Sequence, residues 1–177
     1  MKRTVLIFGA IAGAIVSTFM AIIVATGCSD NANGYVIGYS SMIIAFAFIF
    51  VGVKNYRDRY NQGVLTFGKA FLTGLYIALV ASTIYVIFWM IDYHYFIPDF
   101  MDKYSALMLD KARHSGVTQA VLDKKIAEIN SMKEMYKNPV FVVLLTYAEI
   151  LPVGIVVALI TALILRRNRP KPRPAVA

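Results

Sequence analysis

The stretch "LLTYAEILPVG", residues 144–154, holds the side chain best placed for chemistry in this chain. Glu149 is the one formal charge inside an apolar run long enough to cross a membrane. An ionised carboxylate in a dry helical bundle is costly, so such a group is protonated, paired with a cation or open to water. Those states suit proton handling or cation binding. The plainer alternative is a neutral acid that joins helices through hydrogen bonds. Pro152 follows three residues later and cannot donate to the carbonyl of Ala148, which leaves that carbonyl free beside Glu149. Gly154 then allows a close neighbour or a bend.

Other reactive residue types are few. His94 and His114 are the only histidines, and no pair has metal-ligand spacing on a predicted helix. "IDYHYFIPD" brings Asp92, His94 and Asp99 into one short segment. It reads as a polar interfacial segment, with a metal site as the sharper alternative. There is no phosphate-cradling P-loop, no HExxH and no evident Ser, His and Asp arrangement. The expectation is a protein without catalytic residues, metal or cofactor. The lone Cys28 excludes an internal disulfide. "KR", an apolar stretch and "ATGC" together have the layout of a lipoprotein signal ending at Cys28. Against cleavage, the stretch is longer than the usual signal core, and Ala25 stands where Leu is usual; a retained helix is expected.

The elements that position Glu149 follow from composition and hydropathy. The chain is 59% hydrophobic and 16% charged, against about 25% charged in a soluble domain. A transmembrane helix needs about 20 apolar residues. Four segments qualify: residues 4–26, 35–53, 70–91 and 140–165. The fold class is therefore all-α: a polytopic membrane protein with one four-helix domain over residues 1–168. A basic, Pro-rich tail at residues 169–177 follows it. An extramembrane insert at residues 92–138 separates the third and fourth helices. Within it, one predicted helix at residues 99–114 aligns Met101, Tyr104, Met108 and Ala112. Ser115 and Gly116 break it. A second, at residues 119–137, stripes Leu122, Ile126, Ile129 and Tyr136, with Thr118 as a predicted N-cap. The pair reads as a cap over the bundle mouth or as a partner-docking surface.

Lys and Arg counts set the orientation. Eleven of the 18 basic residues precede the first span, join the second to the third, or follow the fourth. The first loop, "GCSDNANG", has none, and the insert carries seven basic and seven acidic residues. Both termini are predicted to be cytoplasmic and the insert external. The positive charge reads as a topology signal rather than as nucleic-acid binding; the partner it implies is the lipid bilayer.

Gly9, Gly13 and Ser17 recur every fourth residue on the first helix, which predicts a packing seam. The partner is either the second helix or another copy of the chain. Trp89, Tyr93, Tyr95 and Phe96 read as an interfacial aromatic belt. Counted from the outer ends of the spans, Glu149 lies roughly 13 Å deep. Ser17 and Thr18, Ser40 and Ser41, and Ser82 and Thr83 fall within about a turn of that depth, so these pairs form a candidate hydrogen-bonding shell. Tyr85 and Tyr147 could also reach it. Lys69, at the cytoplasmic end of the third helix, is roughly 15–20 Å away, too far to pair with Glu149 directly.

Several stretches together resemble a known family: "MKRTVLIFGAIAGAIVS", "IGYSSMIIAFAFIFVGVKNYRDRYNQGVLTFGKAF", "IYVIFWMIDY" with "PDFMDKY", and "MYKNPVFVVLLTYAEILPVG". The chain is similar to the domain-of-unknown-function 4199 family, small integral membrane proteins of Bacteroidota-type bacteria. The resemblance spans residues 1–167. It implies a bacterial inner-membrane protein with four helices and a long loop before the last, and it supplies no activity. "FGKAF" and "EILPVG" belong to it, which singles out Lys69 and Glu149. The leading functional expectation is a non-enzymatic protein acting through helix packing and contact with a membrane-protein partner or a second copy. The alternative is a small proton- or cation-coupled transporter built around Glu149.

Overall fold

The computed structural model describes residues 1–26, 34–114 and 116–167, at 25–26 and 34–37 by their backbone. Cys28, the rest of the first loop, Ser115 and the basic tail lie outside the described residues. Among the described residues there are six α-helices: α1 (Lys2–Thr26), α2 (Gly34–Asn55), α3 (Phe67–Ile91), α4 (Phe100–His114), α5 (Gln119–Tyr136) and α6 (Pro139–Leu165). Single π-helical turns extend α2 over Tyr56–Tyr60 and α3 over Asp92–Phe96. Among the described residues, four helices are long and apolar enough to cross a membrane: α1, α2, α3 and α6. They are the four apolar spans of the sequence, lengthened by one to three residues at the start of α1, α3 and α6 and at both ends of α2.

The bundle is held by close approach. α3 packs against α1, α2 and α6, and α2 also touches α1 and α6. A Cβ added to Gly74 would lie 3.0 Å from the Ala158 Cβ, and one on Gly154 would lie 2.8 Å from the Ala78 Cβ. α3 and α6 therefore run antiparallel with almost no space between their backbones. Small residues do this work in a membrane, where apolar burial gives helices no reason to prefer each other over lipid. The Gly9 and Gly13 seam has the same character. Added Cβ atoms there would lie 2.6 Å from the Val80 Cβ and 2.8 Å from the Ile84 Cβ. Its partner is thus α3 of the same chain, neither α2 nor a second copy. Around these seams Phe46, Ile49, Ile77 and Ile150 are fully buried. Ile43, Ile44, Ile87, Leu144, Ile160 and Ile164 point outward, as a lipid-facing surface requires.

The two ends differ in charge. At the basic end, the turn between α2 and α3 uses Gln62 and Gly63 at positive φ. Leu65 and Arg167 then exchange two backbone hydrogen bonds of 2.8 and 2.7 Å, which tie that turn to the end of α6. At the other end α4 and α5 fold over the bundle mouth. Asn138 caps α6 by accepting from the Val140 N–H at 3.0 Å, and Pro139 opens the helix. Thr118 occupies the N-cap position of α5 in extended backbone, but its hydroxyl makes no capping bond.

Met101 and Ala112 are buried, while Tyr104, Met108, Leu122, Ile126, Ile129 and Tyr136 are half-buried. α4 and α5 pack on each other, and Tyr104, Met108 and Ala112 of the first stripe meet Ile129 of the second along their common groove. The Lys133 ammonium joins the helices through Asp102, and that carboxylate raises the ammonium's pKa. The aromatic belt divides. Tyr95 and Phe96 are exposed, but Trp89 is buried and stands edge-on to Phe100, with centroids 5.0 Å apart. Tyr93 meets Tyr136 at 5.7 Å. Half of the expected belt is thus the aromatic seat on which the insert rests.

Candidate functional site

Beneath the insert lies a cavity of about 160 Å³, and all six α-helices contribute to its wall. Met20 comes from α1, Tyr39 from α2, Tyr85 and Trp89 from α3, Phe100 and Tyr104 from α4, Tyr136 from α5, and Glu149 from α6. Among the residues that line it, Glu149 is the only acid, and none is basic. Thr146, one turn from Glu149, also faces the cavity, but its hydroxyl donates to the Val142 carbonyl at 2.7 Å.

Glu149 reaches this cavity because of the α3–α6 register. Gly154 against Ala78 and Gly74 against Ala158 fix the antiparallel alignment. Carried five residues outward, it brings Glu149 level with Thr83. The hydrogen bond from the Tyr147 hydroxyl to the Thr83 Oγ1, 2.8 Å long, confirms the contact between the two helices at this height. The expected alignment of Glu149 with Ser82 and Thr83 is therefore present. Contact of the Gly74 position with Ile49 at 3.1 Å sets α2 against α3, and the same extension brings Ser41 to the level of Ser82. Ser17 falls elsewhere. The α1–α3 register places it beside Phe88, about 9 Å further along the axis than Ser82.

The hydroxyl shell does not close on the carboxylate. Thr18 donates to the Ala14 carbonyl at 2.8 Å, Thr83 to Leu79 at 2.8 Å, and Ser41 to Gly38 at 2.6 Å. Ser40 is exposed. Hydroxyls in helices commonly bond back to their own preceding turn, and that local bond wins here over a shared layer. Ser17 and Ser82 are buried with their Oγ atoms unpartnered among the described residues. Among those residues Glu149 has no hydrogen-bond or ion-pair partner, and its side chain is accessible. Pro152 stands one turn below it on an exposed face of α6. Below that point the Gly154 and Gly74 contacts close the bundle. Lys69 is exposed near the start of α3, fourteen residues from the level of Glu149 and thus about 21 Å away.

The ceiling of the cavity responds to the same carboxylate. Burial first, and the negative charge of Glu149 second, push the Tyr136 hydroxyl up to about 12. The tyrosine therefore stays neutral over any physiological range. Of the cavity aromatics only Tyr85 was placed near Glu149 by the sequence; Tyr39, Trp89, Phe100, Tyr104 and Tyr136 did not stand out as a site. The available signal was the four-residue spacing of Tyr85 and Trp89, which an aromatic belt mimics.

The histidine segment does not assemble. His94 stands edge-on to Tyr95 with centroids 4.8 Å apart, and Asp99 pairs with Lys103 at 2.9 Å. Among the described residues no group of three His, Cys, Asp or Glu could hold a metal ion. His94 lines a separate groove of about 740 Å³ between α3 and α6, bordered by Ile87 and Ile91 on the lipid-facing side.

The family match decides the affiliation. A model described as "Protein of unknown function (DUF4199)" matches residues 7–167. This chain belongs to that family. The matched region takes in both the intramembrane acid and the insert that covers it. Comparison with curated proteins and with solved structures gives no match.

Proposed function

We propose that this DUF4199 protein is a non-enzymatic protein of the bacterial cytoplasmic membrane that takes up a positively charged species, proton or cation, at Glu149. One observation carries the reading: the intramembrane acid faces a capped cavity without a hydrogen-bond partner among the described residues. A carboxylate acting as helix glue would be spent on neighbouring helices. This one is available. The other titratable groups facing the cavity are the phenols of Tyr39, Tyr85, Tyr104 and Tyr136, so Glu149 is the one carboxyl among the lining residues.

A membrane-permeant carbodiimide, which adds to protonated carboxylic acids, tests this. Mass spectrometry should find the adduct on Glu149, formed more slowly as pH rises or as a competing cation is added. A folded protein whose Glu149 stays unmodified across pH 5–8 contradicts it. In this reading both termini are cytoplasmic and the insert is external, as the basic residues favour. In a Cys28→Ser background, cysteine at the exposed Ala127 should react with an impermeant reagent in intact cells. Labelling only after lysis would reverse the orientation.

A second reading, partner binding through the insert, is favoured by a groove of about 420 Å³ between α4 and α5. Met108, Ile129 and Met132 form its floor, and Lys125 and Glu128 lie at its edge. Native pull-down in mild detergent separates the cases. A partner lost from Met132→Glu but kept by Lys124→Ala carries this reading, and identical captures from both count against it.

A further inference from the structure

The cavity has a chemical character beyond its single acid. Six of its lining residues are aromatic: Tyr39, Tyr85, Trp89, Phe100, Tyr104 and Tyr136. Trp89 and Phe100 meet at an interplanar angle of 86°, and Phe100 lies roughly parallel to Tyr104 with centroids 5.9 Å apart. Rings set at right angles make the corner of an aromatic cage. Met20, Ile23 and Met42 add apolar surface on the α1–α2 side.

This lining is poor for an inorganic cation. Hard ions such as calcium and magnesium take about six oxygen ligands. Here one carboxylate is joined by a threonine hydroxyl already donating to backbone and by phenol oxygens at the tips of rings. The lining suits a weakly hydrated cation that carries its own methyl or methylene groups. Ring faces attract such a charge through their quadrupole, most strongly for Trp. The alkyl groups then bury against Met and Ile, and the carboxylate supplies the counter-charge. A volume of about 160 Å³ leaves room for a group of several heavy atoms.

We infer that the capped cavity is a binding site for an alkylammonium group, with Glu149 as counter-ion and Trp89, Phe100, Tyr104 and Tyr136 as the cage. The inference rests on the reading of Glu149 as a cation-binding acid and narrows its ligand class. The group could belong to a free organic cation or to the headgroup of a phospholipid.

Trp89 is the chain's single tryptophan, so in nanodiscs with a tryptophan-free belt the emission reports on this cavity alone. The full-length protein in such phosphatidylglycerol nanodiscs is titrated with choline and, separately, with its neutral isostere 3,3-dimethyl-1-butanol. Choline should change Trp89 emission saturably and the isostere should not. Tyr104→Leu should weaken choline about 2- to 30-fold, the range of one ring's cation–π contribution. Tyr104→Phe, which keeps the ring, should bind within about threefold of wild type and guards against a merely misfolded variant. Repeating the titration with phosphatidylethanolamine in the nanodisc distinguishes the sources. Weaker apparent choline binding there assigns the site to a lipid ammonium, and an unchanged value assigns it to a free cation; either result supports the inference. Equal responses to choline and its isostere overturn it. So does a Glu149-dependent response to protons with none to choline, which leaves the broader reading standing. No Glu149-dependent response to protons or to any cation removes both.

Discussion

At Glu149, helix glue and binding site predict opposite responses to the same substitution. If the carboxyl joined helices, Glu149→Leu would strip them of hydrogen bonds and lower stability. The structure gives it no bond to lose, and leucine is at home in this layer. Glu149→Leu should therefore unfold in detergent no lower in temperature than wild type, and Glu149→Gln within about 1 kcal/mol of it. A fall of several degrees in Leu alone would favour glue. The acid itself was legible in the sequence, because a lone charge in an apolar run is conspicuous. Its surroundings were only partly so. The levels of Ser41 and Ser82 followed from counting along spans. The direction of each hydroxyl did not, because a serine or threonine in a helix can satisfy itself on its own preceding turn. Thr18, Ser41, Thr83 and Thr146 all do.

Between elements, the bundle depends on a few positions where backbones nearly touch. Gly154→Ala puts a methyl group 2.8 Å from the Ala78 Cβ and 3.2 Å from the Phe46 ring. Neither neighbour is a flexible chain end, so the helices must part. The expected cost is about 1–3 kcal/mol, read as a lower melting temperature in detergent. Gly68→Ala, with nothing within 4 Å, should be neutral or stabilising by up to about 1 kcal/mol. Equal melting of the two variants would contradict the seam. The four spans and the two insert helices were legible because apolar length and the 3.6-residue stripe are local properties. Which helix Gly9 and Gly13 face was not, since a small-residue spacing fixes a seam without naming its partner. Trp89 and Tyr93 misled for a related reason. An aromatic ring at the end of a span has the same spacing whether it faces headgroups or folds under a cap.

Across the whole molecule, six helices converge on one carboxylate. α1, α2, α3 and α6 supply the walls, and α4 and α5 supply the ceiling through Phe100, Tyr104 and Tyr136. The fold thus separates a tightly closed basic half from a capped half that holds the cavity. Neutrality of the insert and basicity of the opposite end are readable from charge counts alone, whereas the cavity exists only once the insert is seated. The chain has three glutamates, Glu128, Glu134 and Glu149, and the first two are exposed on α5. Selective carboxyl ¹³C labelling of glutamate in the full-length protein therefore gives three resonances, with Glu149 assigned by its loss in Glu149→Gln. A pH series with and without choline follows that resonance. We predict that the Glu149 resonance shifts along the pH series and moves again when choline is added, while Glu128 and Glu134 do not respond to choline. A Glu149 resonance that stays fixed with protons, choline and sodium alike would contradict the central claim that this acid takes up a positively charged species.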